Sequence, residues 1–330
     1  AAGVELAGSP TLAAALRAVA DYGRVHPRRS WLVGGGWNQE IWKLGRFPRA
    51  AELDKAEAAR PVWLSRVDGH AGWANSRALK LAGITATTPD PSGGKILRDA
   101  NGAPSGVLVD RAMNLVEAVL PPASEAERRE ALDDALAQLA KAGLTSVHDA
   151  GVGAAQDALY RDYATRGKLT VRVYGMIRDT GADFDALSRN GPLPSFAHDM
   201  YALRAVKLFA DGALGSRGAA LLAPYSDEPS ASGLLFLTDA ELRAKMDKAV
   251  KAGYQVNVHA IGDAANRQVL DAFAVMRKRY GDAGLRHRIE HAQVVALADI
   301  ARFKALGVLP SMQPTHATSD SNMAEARIGA

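Results

Sequence analysis

From about residue 124 onward the sequence repeats one unit: a polar-capped amphipathic helix, a glycine, a short β-branched strand, and polar residues where the strand ends. Few folds accommodate that period. Ser124 and Glu127 stand in capping-box spacing before a helix that runs to Ala142; Gly143 stops it and LTSVHDAG follows as a strand. Thr238 and Glu241 open a second copy, ended by Gly253 and followed by YQVNVHAIGD, and ADIARFKALG with VLPSMQPTH makes a third. With KLTVRVYGMIRD, YALRAVKLFADG and LRHRIEHAQ this gives six expected strands, at about 144–149, 169–176, 202–209, 254–259, 287–292 and 308–313. Strands alternating with helices imply a parallel sheet, either doubly wound or closed into a barrel.

The polar residues favour the barrel. A period of two puts Lys207, Phe209 and Asp211 on one face and Val206, Leu208 and Ala210 on the other; Gln255, Asn257 and His259 separate from Val256 and Val258 in the same way. A sheet covered on both faces carries near-continuous apolar runs, whereas a barrel holds a polar interior near its C-terminal mouth. In RHRIEHA the alternation that points His291 inward turns Arg288 and Glu290 towards the helices, which the sequence does not account for. Residues 31–122 differ: short strands (WLVGGGW, PVWLSRV) and KILRDANGAPSGVLVD, a hairpin with an Asn101-Gly102 turn, read as an inserted α+β segment.

Composition narrows the chemistry. With no cysteine there is no disulfide, thiolate metal site or cysteine nucleophile, so a transition metal must rest on His, Asp, Glu or modified Lys. The net charge of +4 is dispersed through mixed segments such as SEAERREALDD, which read as solvated helix faces and predict no nucleic-acid partner. No apolar run reaches the roughly 18 residues of a spanning helix, and the start carries no signal-peptide pattern. No membrane partner is therefore expected, and a cytoplasmic location is, with an upstream export signal left open. Homo-oligomer formation is also left open.

Lys207, His259 and His291 each end a successive expected strand, where barrel enzymes place catalysis. Two neutral imidazoles from adjacent strands can converge on one zinc ion. A desolvated lysine can react with carbon dioxide to give a carbamate able to bridge two metals. Each residue also has a plainer reading: a histidine hydrogen-bonded at a strand end, a lysine paired with Asp211. His287 and His291 lie about 13 Å apart along a strand, too far to share an ion, and His291 is nearer the mouth. His148 and Asp149 fall on opposite faces, so at most one points inward. A lysine at a barrel strand end also suits a Schiff-base lyase using Lys207, the rival reading, and a non-catalytic barrel binding protein is a third.

The motifs PVWLSRVDGHAGWANSRAL, GLTSVHDAG, VKLFADGALGSRGAAL, VNVHAIGDAAN, RIEHAQ and SMQPTHATSD, in this order across nearly the whole chain, resemble the YtcJ-like branch of the amidohydrolase superfamily (amidohydrolase family 3), which includes N-substituted formamide deformylases. The resemblance implies a TIM-like (β/α) barrel of the metal-dependent hydrolase type, acting on an amide-type C–N bond of a small-molecule substrate. It implies one or two divalent ions, zinc by preference, with Lys207 carboxylated and His259 and His291 as ligands. The family's His-x-His pair on the first barrel strand and its eighth-strand Asp, the general base, are not in this sequence, and Asp320 is not that Asp. The barrel is thus expected to be incomplete and inactive by itself. Residues 1–30 become a helix after the missing first strand, 31–122 the insertion over the mouth, and 123–330 barrel strands two to seven. The resemblance makes Asp68, His70 and Asn75 candidate substrate contacts, against a polar turn and helix cap. His316 lies just past strand seven, within substrate reach, and Arg217 is a candidate anchor for an anionic group or else a solvated loop arginine. The surrounding DGALGSRG reads as a tight pocket loop, since its spacing matches neither nucleotide-binding pattern.

Overall fold

The computed structural model of the chain describes residues 3–27 and 29–329. Two compact units divide it, Ala1–Ala131 and Leu132–Ala330.

The first unit is built on a six-stranded sheet. In chain order it contains β1 (Val4–Glu5), α1 (Leu12–Val25), β2 (Leu32–Trp37), α2 (Ala50–Ala56), β3 (Val62–Arg66), β4 (Ala71–Ala74), α3 (Ser76–Leu81), β5 (Gly94–Arg98), β6 (Pro104–Asp110) and α4 (Asn114–Glu117). The strands lie in the order β1-β2-β3-β4-β6-β5. The first three are parallel and the last three antiparallel neighbours, with β5 and β6 joined through the Asn101-Gly102 turn, where Gly102 has φ +80°. No boundary falls at residue 30. Val4 and Glu5 pair with Gly34 and Gly35, and α1 buries Ala15 and Val19 in the same core as Leu32, Leu53 and Leu64. Gly34 permits that pairing, since a Cβ there would lie 2.1 Å from the Val4 carbonyl oxygen. At the centre Trp37, Trp42 and Trp73 sit with ring centroids 6.1–6.5 Å apart, and each indole N–H donates to a backbone carbonyl. Aromatic pairs of this kind contribute about 0.5–1.5 kcal/mol each beyond their buried area.

The second unit begins within α5 (Glu125–Lys141) and continues β7 (Ser146–Val152), α6 (Ala154–Thr165), β8 (Arg172–Arg178), α7 (Ala182–Leu187), β9 (Leu193–Phe196), β10 (Tyr201–Phe209), α8 (Asp239–Lys251), β11 (Gln255–Ala260), α9 (Asp263–Tyr280), β12 (Arg288–His291), α10 (Leu297–Leu306), β13 (Leu309–Ser311), α11 (Thr315–Thr318) and α12 (Ser321–Ile328). The six expected strands are all present, parallel, in the order β7-β8-β10-β11-β12-β13. Both capping boxes form, Ser124 with Glu127 and Thr238 with Glu241. The strand β9 was not expected; it pairs antiparallel with β10. Val206, Leu208, Val256, Val258 and Ile289 bury against the helices, while Lys207, Gln255 and Asn257 occupy the opposite face.

The sheet is curled. Arg288 on β12 reaches His148 on β7, with Nη1 3.1 Å from Nδ1, although these strands are four places apart. On a flat sheet that separation is about 19 Å, beyond the combined reach of the two side chains. The polar face is therefore a shared concave interior, as a barrel-type sheet requires. Among the described residues β7 and β13 take no further strand. No helix among the described residues is long and apolar enough to cross a membrane.

Candidate metal centre

The end of β11 delivers His259, 1% exposed, to the concave face. Its neighbour in register on β10 is Phe209, and Lys207 lies two pairs earlier, opposite Asn257. Lys207 is 4% exposed and extends its ammonium to 4.7 Å from the Phe209 ring centre. Burial pushes its pKa down to about 8; Glu290 opposes that shift and Arg288 adds to it. The unprotonated amine that carbamate formation needs is thus accessible near neutral pH.

The geometry of β12 differs from the expected alternation and explains the awkward faces of Arg288 and Glu290. Ile289, fully buried, packs against the helices. Arg288 donates from Nε to Asn257 Oδ1 at 3.2 Å, which places Arg288, and by the period of two Glu290, on the interior face. The expectation that they face the helices is corrected. By that same period His291 would point outward, but its φ of +76°, followed by +45° at Ala292, breaks the extended backbone, and the ring packs against His259 on the interior side. The His259 and His291 ring centroids are 4.6 Å apart at 67°. Burial first, then the charge of Lys207, pushes the His291 pKa down to about 4.

Each ring already has one nitrogen engaged. His259 Nε2 lies 3.2 Å from the Gly212 carbonyl oxygen and 3.5 Å from Asp211 Oδ1, two acceptors, so this nitrogen carries a proton. His291 Nδ1 lies 2.8 Å from Gln313 Oε1 and leaves Nε2. Two imidazoles bound to one tetrahedral zinc, with nitrogens about 2 Å from the ion, hold their ring centres about 5 Å apart, close to the spacing seen here. The donor set therefore fits a divalent cation, with His259, His291 and Lys207 as its contributions. Among the described residues no group of three or more His, Cys, Asp or Glu could hold a metal.

Several neighbours escaped the sequence reading. Asp211, fully buried, does not pair with Lys207: its carboxylate accepts from the backbone N–H groups of Ala220, Ile261 and Gly262 at 2.8–3.0 Å, tying the loop after β10 to the start of α9. Gly262 is required there, because a Cβ would meet the Ala220 carbonyl oxygen at 1.9 Å. Glu290 Oε1 is buried without a hydrogen bond, although Arg288 Nε stands 2.9 Å away, because the Nε–H points to Asn257. Of the 148–149 pair, His148 faces inward to Arg288 and Tyr174, and Asp149 accepts from Tyr160 on α6. His287 is structural: its Nδ1 accepts from Val256 N–H at 3.0 Å and its ring stacks on Phe273.

The expected substrate contacts fare differently. His316 stands beside His291, ring centroids 5.9 Å apart, with Nε2 2.9 Å from Gln313 Oε1 and Nδ1 2.9 Å from Asp320 Oδ2. Arg217 makes a two-point ion pair with Asp227 at 2.9 and 3.1 Å, so an anionic ligand would have to compete with that carboxylate. Asp68, His70 and Asn75 belong to the first unit. Asp68 pairs with Arg66 and accepts from His70 N–H, and His70 Nδ1 lies 2.8 Å from Asp110 Oδ1. Burial raises the Asp110 carboxyl pKa against that contact. Asn75 caps α3 and is fully buried; its amide accepts from Val62 and Ala78 and donates to Glu57 and Arg60 carbonyls. All four of its hydrogen-bonding positions are filled, and a substrate contact would have to break one.

The curled parallel sheet defines an α/β protein of the metal-dependent hydrolase fold. An uncharacterized metal-dependent hydrolase from Pyrococcus horikoshii OT3 superposes on this chain with a TM-score of 0.71 at 28% identity, covering 99% of this chain and 62% of that one. The chain belongs to the amidohydrolase family, whose pattern matches residues 2–330. The putative amidohydrolase YtcJ of Bacillus subtilis (strain 168) is 36% identical over 321 residues, 95% of this chain and 59% of that protein. The N-substituted formamide deformylase of Arthrobacter pascens is 31% identical over 307 residues, 90% of this chain and 56% of that protein. The chain spans between 53% and 65% of the length of the curated relatives it matches.

Proposed function

We propose that the protein is a metal-dependent amidohydrolase that cleaves the amide-type C–N bond of an N-acyl or N-formyl amine. The observation that carries this reading is the convergence of the His259 and His291 rings, 4.6 Å apart between centroids, beside a buried Lys207 of depressed pKa. The naming of one relative as an N-substituted formamide deformylase supports the bond and substrate class. His259 would bind zinc through Nδ1 and His291 through Nε2. The neutral Lys207 amine adds to carbon dioxide, forming an N–C bond and releasing one proton, to give a carbamate ligand. When bound, the cation supplies Lewis acidity towards a carbonyl and lowers the pKa of a water molecule to about 7. Phe209, partly exposed beside both Lys207 and His259, offers substrate an apolar wall. His316 stands where it can give a hydrogen bond to substrate, at the expense of Gln313 or Asp320.

The test uses the full-length protein against a panel of N-formyl and N-acyl amines. Chelation is expected to abolish turnover, zinc to restore it, and His259→Ala or His291→Ala to remove it. Turnover unchanged by chelation would refute the proposal. The depressed pKa of Lys207 also suits an amine nucleophile, so borohydride trapping of a carbonyl substrate on Lys207 would move the reading to a Schiff-base lyase.

A further inference from the structure

We propose that Gln313 is a positioning residue that selects which nitrogen of His291 carries the proton, and so keeps Nε2 available to a divalent cation. The inference rests on His291 being a metal donor, as argued above. Gln313 Oε1 lies 2.8 Å from His291 Nδ1 and 2.9 Å from His316 Nε2. The amide is oriented by its other end, since Gln313 Nε2 donates to the Ser311 carbonyl at 3.4 Å and the reverse orientation would set two oxygens against each other. A carbonyl oxygen only accepts, so each ring presents an N–H to it. His291 is thereby held as its Nδ1–H form, with the lone pair on Nε2.

His259 shows the same logic with a different acceptor. The Gly212 carbonyl takes its Nε2–H. One ligand is thus set by main chain and the other by a side chain, which mutation can remove. His316, held through Nδ1 by Asp320, braces Gln313 from the opposite side. Outer hydrogen bonds of this type fix the tautomer and direction of metal-binding imidazoles, and their loss costs about 10–100-fold in affinity.

The experiment uses the full-length protein with labelled histidine, reading the His291 tautomer by nitrogen-15 NMR without metal, then titrating cobalt(II) by its absorption. Gln313→Leu is expected to move the His291 proton to Nε2 and to weaken cobalt(II) binding by about 10–100-fold. Gln313→Glu, whose carboxylate still accepts, is expected to restore both. Wild-type tautomer and affinity in Gln313→Leu, together with loss of metal in His291→Ala, would overturn the role of Gln313 alone. Undiminished cobalt(II) binding in His291→Ala would instead overturn the metal-site reading, and the metal-free tautomer would still decide whether Gln313 directs the ring.

Discussion

His291 shows how far one backbone angle can depart from a periodic pattern. Strand alternation assigns residues 288, 290 and 291 to faces, and the left-handed φ at 291 lets three of the four residues 288–291 serve one interior. His287, on the same segment, is set by a different contact, and its behaviour is measurable. Its Nδ1 accepts a backbone hydrogen bond, so protonation must break that bond, and burial pushes its pKa down to about 4. The unfolded chain, with an ordinary value near 6.5, binds a proton between these limits that the folded state refuses. Stability from this group is therefore complete above about pH 6.5 and falls as the pH drops towards 4, by about 2 kcal/mol at pH 5. His291, also pushed down to about 4, adds a similar loss, so urea unfolding at pH 5 and 7.5 should show a pH-dependent loss smaller by about 2 kcal/mol in His287→Gln, whose side chain also accepts but does not titrate, than in wild type. Equal pH dependence in both would refute the assignment.

At the level of elements, legibility followed locality. The capping boxes of α5 and α8 and the Asn101-Gly102 hairpin are written in residues three or four apart, and each forms as read. β1 and β9 are not written that way. Val4–Glu5 is two residues long, and LPSF follows one proline and contains another; both become strands only because a longer neighbour supplies the pairing. Asn75 illustrates the same limit in a side chain, reading as a helix cap or a ligand contact until its partners are seen to join α2, β3 and α3. Asn75→Ala should cost on the order of 3 kcal/mol, a lost cap plus stranded buried backbone groups. KM of the folded enzyme should not change. Chemical denaturation with steady-state kinetics below the transition checks both, and a raised KM at unchanged stability would return Asn75 to the substrate.

For the molecule as a whole, a cation that binds only the folded second unit must stabilise it. Zinc at a hundredfold excess over its Kd should add about 2.7 kcal/mol to unfolding. The increment should vanish in His291→Ala and survive in Asn75→Ala. Thermal unfolding with and without zinc checks this; an increment untouched by His291→Ala would place the ion elsewhere.

The βα period and the apolar face of each strand were determined by sequence alone, because hydrophobic burial and helix capping act at fixed short spacings. So was the identity of Lys207, His259 and His291 as the residues worth comparing. Tertiary structure alone decided that Arg288 and Glu290 face inward, that Asp211 serves backbone rather than Lys207, and that Gln313 holds His291. Those contacts join residues 9 to 31 positions apart, or depend on a single dihedral, and a linear pattern carries neither quantity.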